Sequence, residues 1–159
     1  MRKRMASRAS RKKSPPVFDL QSFLKADGLN PRKVRFATGA RVFAQGAEAT
    51  SVYYVQTGGI KLSVLSTSGK EAVVAMLGPG DFVGEGCLAG QHLRMCTASA
   101  VVPTALLQIQ KGDMVRMLHT NPDFSDRFIA HMLTRNIRIE EDLGDVAVYP
   151  GRSAFYNLR

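Results

Sequence analysis

In the stretch Gly80-Asp81-Phe82-Val83-Gly84-Glu85-Gly86-Cys87-Leu88, followed shortly by Arg94, the chain sets a glycine-rich turn, a carboxylate and a guanidinium close together. Those residue types suit the capture of one small anion. A helical turn opening at Glu85 offers backbone N–H groups with no partner inside the turn, and such groups attract phosphate. Arg94 can meet the same phosphate with forked hydrogen bonds, and Glu85 can accept from a sugar hydroxyl. A phosphate-bearing nucleotide fits that combination. The same spacing also fits a glycine hairpin that carries a surface acid and a surface base.

The elements needed to position these residues are legible around them. Eight short β-rich runs are predicted: Val34-Phe36, Arg41-Phe43, Val52-Gln56, Ile60-Leu65, Ala72-Leu77, Phe82-Val83, Thr97-Val101 and Ala105-Ile109. Breaks at Thr38-Gly39, Gly58-Gly59, Ser68-Gly69, Gly78-Pro79-Gly80 and Pro103 separate them, which is the rhythm of a small β-sandwich or jelly roll. Val17, Leu20, Phe23 and Leu24 have helical spacing ahead of the strands. Gly112 to Leu118 predicts a short helix, Asn121-Pro122 ends it, and Asp123 to Leu143 is long enough for a further helix. The fold class expected is therefore mainly β with flanking helices, a β-roll followed by a long C-terminal helix.

On that long helix Phe128, Met132, Ile139 and Leu143 form one stripe, Ile129 and Leu133 lie beside it, and Arg135 interrupts it. One flank is expected to cover the roll and the other to meet a second copy of the chain, giving a homodimer through residues 123–143. Arg135 is placed either at the rim of the anion site or in solvent.

Composition limits the alternatives. The chain has 159 residues and 45% hydrophobic content, enough for one domain with a real core. No apolar run approaches a membrane span, and the basic N-terminus leads into Ser and Pro, so a cytoplasmic protein is expected. The two cysteines, Cys87 and Cys96, are too few for a disulfide framework. A helix start could lower the pKa of Cys87, although packing is the simpler role. The net charge of +9 is concentrated in Arg2, Lys3, Arg4, Arg8, Arg11, Lys12 and Lys13, with no acid before Asp19, which leaves about +2 for the remainder. Residues 1–16 read as a disordered basic tail able to hold nucleic acid loosely. The histidines, His92, His119 and His131, lack the strand spacing of a β-roll metal enzyme. Neither a metal nor an enzymatic activity is expected.

Gly58-Gly59-Ile60-Lys61, Leu77-Gly78-Pro79-Gly80-Asp81-Phe82-Val83-Gly84-Glu85 and Arg94-Met95-Cys96-Thr97-Ala98, in that order, resemble the cyclic-nucleotide-binding domain of the catabolite activator (Crp/Fnr) family of transcription regulators. The resemblance runs from about Leu20 to Leu143. It implies that Glu85 binds the ribose 2′-hydroxyl, that Arg94 binds the cyclic phosphate, and that Gly84, Gly86, Cys87 and Leu88 line the phosphate cassette. The expected ligand is a cyclic nucleotide, cAMP or cGMP. Where the family places Ser or Thr after the arginine, this chain has Met95, a loss of roughly 1.5–3 kcal/mol of hydrogen bonding to phosphate. Thr97 is the residue able to substitute in part. The family's purine-contacting helix positions are Ile139 and Glu140 here.

The family's long helix continues into a helix-turn-helix domain, whereas residues 144–159 read as a divergent remnant without one. Residues 17–143 are accordingly the expected sensory domain of a truncated regulator, with DNA reached through a full-length relative. A ligand-free dimerising protein that modulates such a relative is the alternative. Arg94→Ala is expected to remove phosphate affinity at little cost to the fold.

Overall fold

A computed structural model describes residues 19, 20, 23 and 29–146, with the side chains of Asn136 and of 138–146 outside that description. The basic tail of 1–16, the side chains of Ile139, Glu140 and Leu143, and the segment 147–159 lie outside the described residues.

Eight strands follow in order: β1 (Arg32–Phe36), β2 (Arg41–Phe43), β3 (Ser51–Thr57), β4 (Ile60–Leu65), β5 (Glu71–Leu77), β6 (Phe82–Val83), β7 (Thr97–Ala100) and β8 (Thr104–Gln110). They form two four-stranded antiparallel sheets, ordered β1-β8-β3-β6 and β2-β7-β4-β5. Two helices follow, α1 (Lys111–Thr120) and α2 (Pro122–Val146). The eight expected runs coincide with the eight strands to within two residues at either end. The long helix runs past its expected end at Leu143, so Gly144, Asp145 and Val146 are helical. At its start Pro122 occupies the first helical position, where its missing N–H costs nothing, and Asn121 Oδ1 accepts from Phe124 N at 3.1 Å.

Strand alternation divides the apolar residues between two cores. On β3, Tyr53 and Val55 turn toward the second sheet and pack with Ile60, Leu62, Leu77, Val83, Ala98, Ala100 and Leu106. Val52 and Tyr54 turn the other way, onto Phe82, Leu107, Ile109, Met114, Met117, Phe124 and Phe128. β3 is thus covered on both faces, which explains its unbroken apolar run. Leu20 and Phe23 are buried in the helical core and Phe23 itself is helical, while most of the expected N-terminal helix lies outside the described residues.

Close approach between two turns requires Gly58. Its φ is +94°, and an added Cβ would sit 2.6 Å from Pro103 O. Thr104 Oγ1 fastens the turns by accepting from Gly59 N at 3.1 Å and donating to Val102 O at 2.8 Å. Along α2, the two expected flanks face different ways. Phe128 is buried against the roll and Met132 packs on the same core, while Ile129, Leu133 and Ile137 are more than half exposed on another flank.

Candidate functional site

β6 ends at Gly84, whose φ of 78° and ψ of 23° put it in the left-handed region, and a 3₁₀ turn runs from Glu85 to Ala89. The helical turn expected at Glu85 is therefore present. Its first N–H groups have no partner within so short an element. An added Cβ on Gly84 would collide with Arg94 Nη1 and lie 3.2 Å from the Phe43 ring. Glycine at 84 thus lets the arginine pass directly beneath the cassette.

Arg94 enters from an extended segment that pairs with residues 46–49. Ala49 N donates to His92 O, Arg94 N to Ala47 O, and Gly46 N to Arg94 O, all at 2.8–2.9 Å. Alternation along this segment exposes Leu93 and Met95 and turns Arg94 inward, where it is 6% exposed. Its Nη1 donates to Gly84 O at 2.9 Å and its Nη2 to Ser51 O at 2.6 Å. The guanidinium carbon stands 4.2 Å from the centre of the Phe43 ring, and Nε has no partner. Arg94 thereby ties the cassette to β3 through two main-chain carbonyls. The expectation that its removal spares the fold does not survive this burial.

Glu85 faces the long helix. Its Oε1 lies 3.0 Å from Arg135 Nη1, which also donates to Phe82 O at 2.7 Å. Arg135 is 7% exposed, placing it at the site rather than in solvent. One turn earlier on α2, His131 Nε2 lies 3.7 Å from Asp81 Oδ1. Asp81 closes the preceding turn by accepting from Gly78 N at 2.9 Å through Oδ2. The cassette carboxylates Asp81 and Glu85 are four residues apart, as are His131 and Arg135, so the helix meets the cassette at two points. Sequence reasoning missed the role of Asp81 and His131; the matched spacing was the available signal.

The other expected residues divide between the site and the framework. Gly86 lies beneath the Gln91 side chain, where an added Cβ would meet Gln91 Oε1. Cys87 is 1% exposed and its Sγ points to Gly84 O at 3.4 Å and Ser51 O at 3.8 Å, the carbonyls that Arg94 holds. Burial pushes the Cys87 thiol up from its ordinary pKa, against the lowering expected of a helix start, and the Arg94 charge opposes this only in part. Cys96 is raised as well, first by burial and then by the Glu85 carboxylate. Leu88 packs partly on the helical core. Met95 is 64% exposed. The Thr97 hydroxyl accepts from Gln45 N at 2.9 Å, fastening the turn after β2. Among the described residues no cluster of His, Cys, Asp and Glu is placed to hold a metal ion.

The cyclic nucleotide-binding domain model matches residues 33–121, more than half of the chain, spanning both sheets and the cassette. The chain belongs to the cyclic nucleotide-binding domain family. The domain is 32% identical over 108 residues to the cyclic AMP receptor protein of Thermus thermophilus, covering 68% of this chain and 49% of that protein. It is 25% identical over 114 residues to the cAMP-activated global transcriptional regulator CRP of an Escherichia coli strain, covering 71% and 54%. The chain spans about half the length of these curated relatives. The crystal structure of Thermus thermophilus catabolite activator protein superposes with a TM-score of 0.61 at 28% identity, covering 73% of this chain and 54% of that one. The sensor domain of the transcriptional regulator DNR from Pseudomonas aeruginosa gives 0.59, also at 28% identity, covering 70% and 76%. No helix among the described residues is long and apolar enough to cross a membrane.

Proposed function

We propose that this cyclic nucleotide-binding domain senses a cyclic nucleotide, cAMP or cGMP, or a similar phosphate ester, and passes its binding to α2 as the sensory module of a cytoplasmic transcription regulator. The ion pair between Glu85 and Arg135 carries this reading, because it makes the proposed sugar-binding carboxylate the direct partner of the long helix. A ribose hydroxyl donating to Glu85 competes with Arg135. A phosphate at the first N–H groups of the Glu85–Ala89 turn draws on Arg94, whose donors also serve Gly84 O and Ser51 O. Both ligand groups thus recruit side chains that join the cassette to β3 and to α2. Differential affinity for two arrangements of these contacts would shift α2 between them.

Calorimetric titration with cAMP and cGMP tests this reading, with Glu85→Gln alongside because that substitution keeps the side-chain size. Saturable binding, weakened about tenfold or more in Glu85→Gln, is expected from loss of a charge-assisted acceptor. Absence of binding at about millimolar ligand, roughly 4 kcal/mol of free energy, would favour the second reading, a ligand-free dimerising protein that modulates a full-length regulator. The exposed Met95, with no hydroxyl to offer phosphate, is the observation on that side.

In either reading the Ile129, Leu133 and Ile137 flank is the proposed homodimer face, since four-residue spacing aligns three exposed apolar side chains away from the core. Leu133→Glu is expected to weaken self-association about a hundredfold by placing a charge in that seam. Analytical ultracentrifugation across a concentration series checks it; an unchanged sedimentation profile would move the interface elsewhere. Any contact with DNA is proposed to run through a full-length relative, or weakly through the basic tail.

A further inference from the structure

At the other edge of the first sheet lies a groove of about 600 Å³, lined by Lys33, Arg35, Phe36, Gln56, Thr57, Pro103, Thr104 and Ala105. Register explains how it forms. Lys33 pairs with Leu107 and Arg35 with Ala105, so both cations share the face on which the helices rest. The helical core covers Val52, Tyr54, Leu107 and Ile109 on that face and excludes Ala105. A register shift between Val55 and Thr57 then turns Gln56 and Thr57 together onto the uncovered end.

The charge there has no internal match. Residues 28–47 contain Arg32, Lys33, Arg35 and Arg41 and no acid, and no Asp or Glu lines the groove. The ion pairs among the described residues leave out both Lys33 and Arg35. Two residues apart on one strand face, the two cations stand roughly 7 Å from each other and repel. A bound dianion would reverse the sign of that interaction.

We propose that this groove is a second anion site, which takes a small phosphomonoester such as a sugar phosphate. Arg35 offers a planar fork of donors and Lys33 a mobile point charge, the two ways side chains hold phosphate. Gln56 and Thr57 add amide and hydroxyl donors, while Pro103 and Ala105 provide apolar surface for the organic part. Two cations match one phosphomonoester and fall short of the six to ten phosphate contacts typical of a duplex-binding surface. In the order β1-β8-β3-β6, the strand that carries both cations lies three strand spacings from β6, on the order of 14 Å, while Gln56 and Thr57 belong to β3, the neighbour of β6.

Amide chemical-shift mapping of the full chain with ribose 5-phosphate tests the assignment. Saturable shifts are expected at Lys33, Arg35, Gln56, Thr57 and Thr104, with Gly84 to Leu88 unmoved. Arg35→Gln and Lys33→Gln are each expected to weaken binding about tenfold or more. Both substitutions are on an exposed strand face, so the fold is retained. Equal shifts with sulfate at matched ionic strength would reduce the groove to a non-specific anion patch and overturn the proposal. Shifts confined to the cassette, or none at all, would also overturn it. Groove shifts produced by duplex DNA and not by ribose 5-phosphate would replace the small ligand with a nucleic-acid backbone.

Discussion

Arg94→Ala is expected to lower the stability of the domain by about 3 kcal/mol, as read from urea unfolding followed by circular dichroism. The substitution leaves Ser51 O with only the weak Cys87 thiol as donor, takes a charged donor from Gly84 O, and removes the alkyl stem and guanidinium that rest on Phe43. Each buried carbonyl deprived of its donor costs about 1–3 kcal/mol, and the vacated volume adds to that. Arg94→Lys should cost less, because one ammonium can still reach one carbonyl. A loss below about 1 kcal/mol in Arg94→Ala would show that the carbonyls find other donors. Nucleotide binding lost in this variant is informative only where folding has been verified, and for that reason Glu85 is the better residue with which to probe the site.

Phe82→Ala is expected to be more damaging still, at about 4 kcal/mol. Phe82 is fully buried, and its ring meets Tyr54 at 5.3 Å, Phe128 at 5.0 Å and His131 at 5.9 Å between centroids. It is the apolar joint between the roll and α2, and its carbonyl also receives Arg135. Truncation opens a cavity among three rings and loosens the helix from the cassette. Thermal unfolding of Phe82→Ala and Phe82→Leu separates the effects: leucine refills most of the volume and should recover more than half of the loss. A cost of about 1 kcal/mol or less for alanine would mean that α2 collapses onto the space without penalty.

The strands were legible because each is followed within four residues by Gly or Pro, which favour a turn. The cassette was legible for the same reason: a left-handed Gly84 followed by Glu85 encodes its own geometry locally. Three features were not legible. Whether Arg94 faces outward or inward depends on the pairing of its segment with residues 46–49, a long-range bond pattern with no local signature. Which of the two expected flanks of α2 the roll covers depends on where the roll meets it, since Phe128 and Ile129 are equally apolar in the sequence. The groove beside Lys33 and Arg35 arises from a β-bulge and from where the helical layer ends, and neither has a spacing of its own. Local chemistry thus announced the elements and the candidate site residues, and tertiary contacts decided their orientation.

The pairing of β1 with β8 has a consequence for how the chain acquires its structure. Among the described strands, the first pairs only with the last, with nearly the whole roll in sequence between them. Closing so long a loop is entropically costly before any contact rewards it, and folds dominated by such pairings form in milliseconds to seconds. During synthesis at about 5–20 residues per second, β1 must wait several seconds for Gln110 to leave the ribosome. Over that interval Val34 and Phe36 are without the strand that completes their sheet, and the nascent chain is most exposed to mispairing.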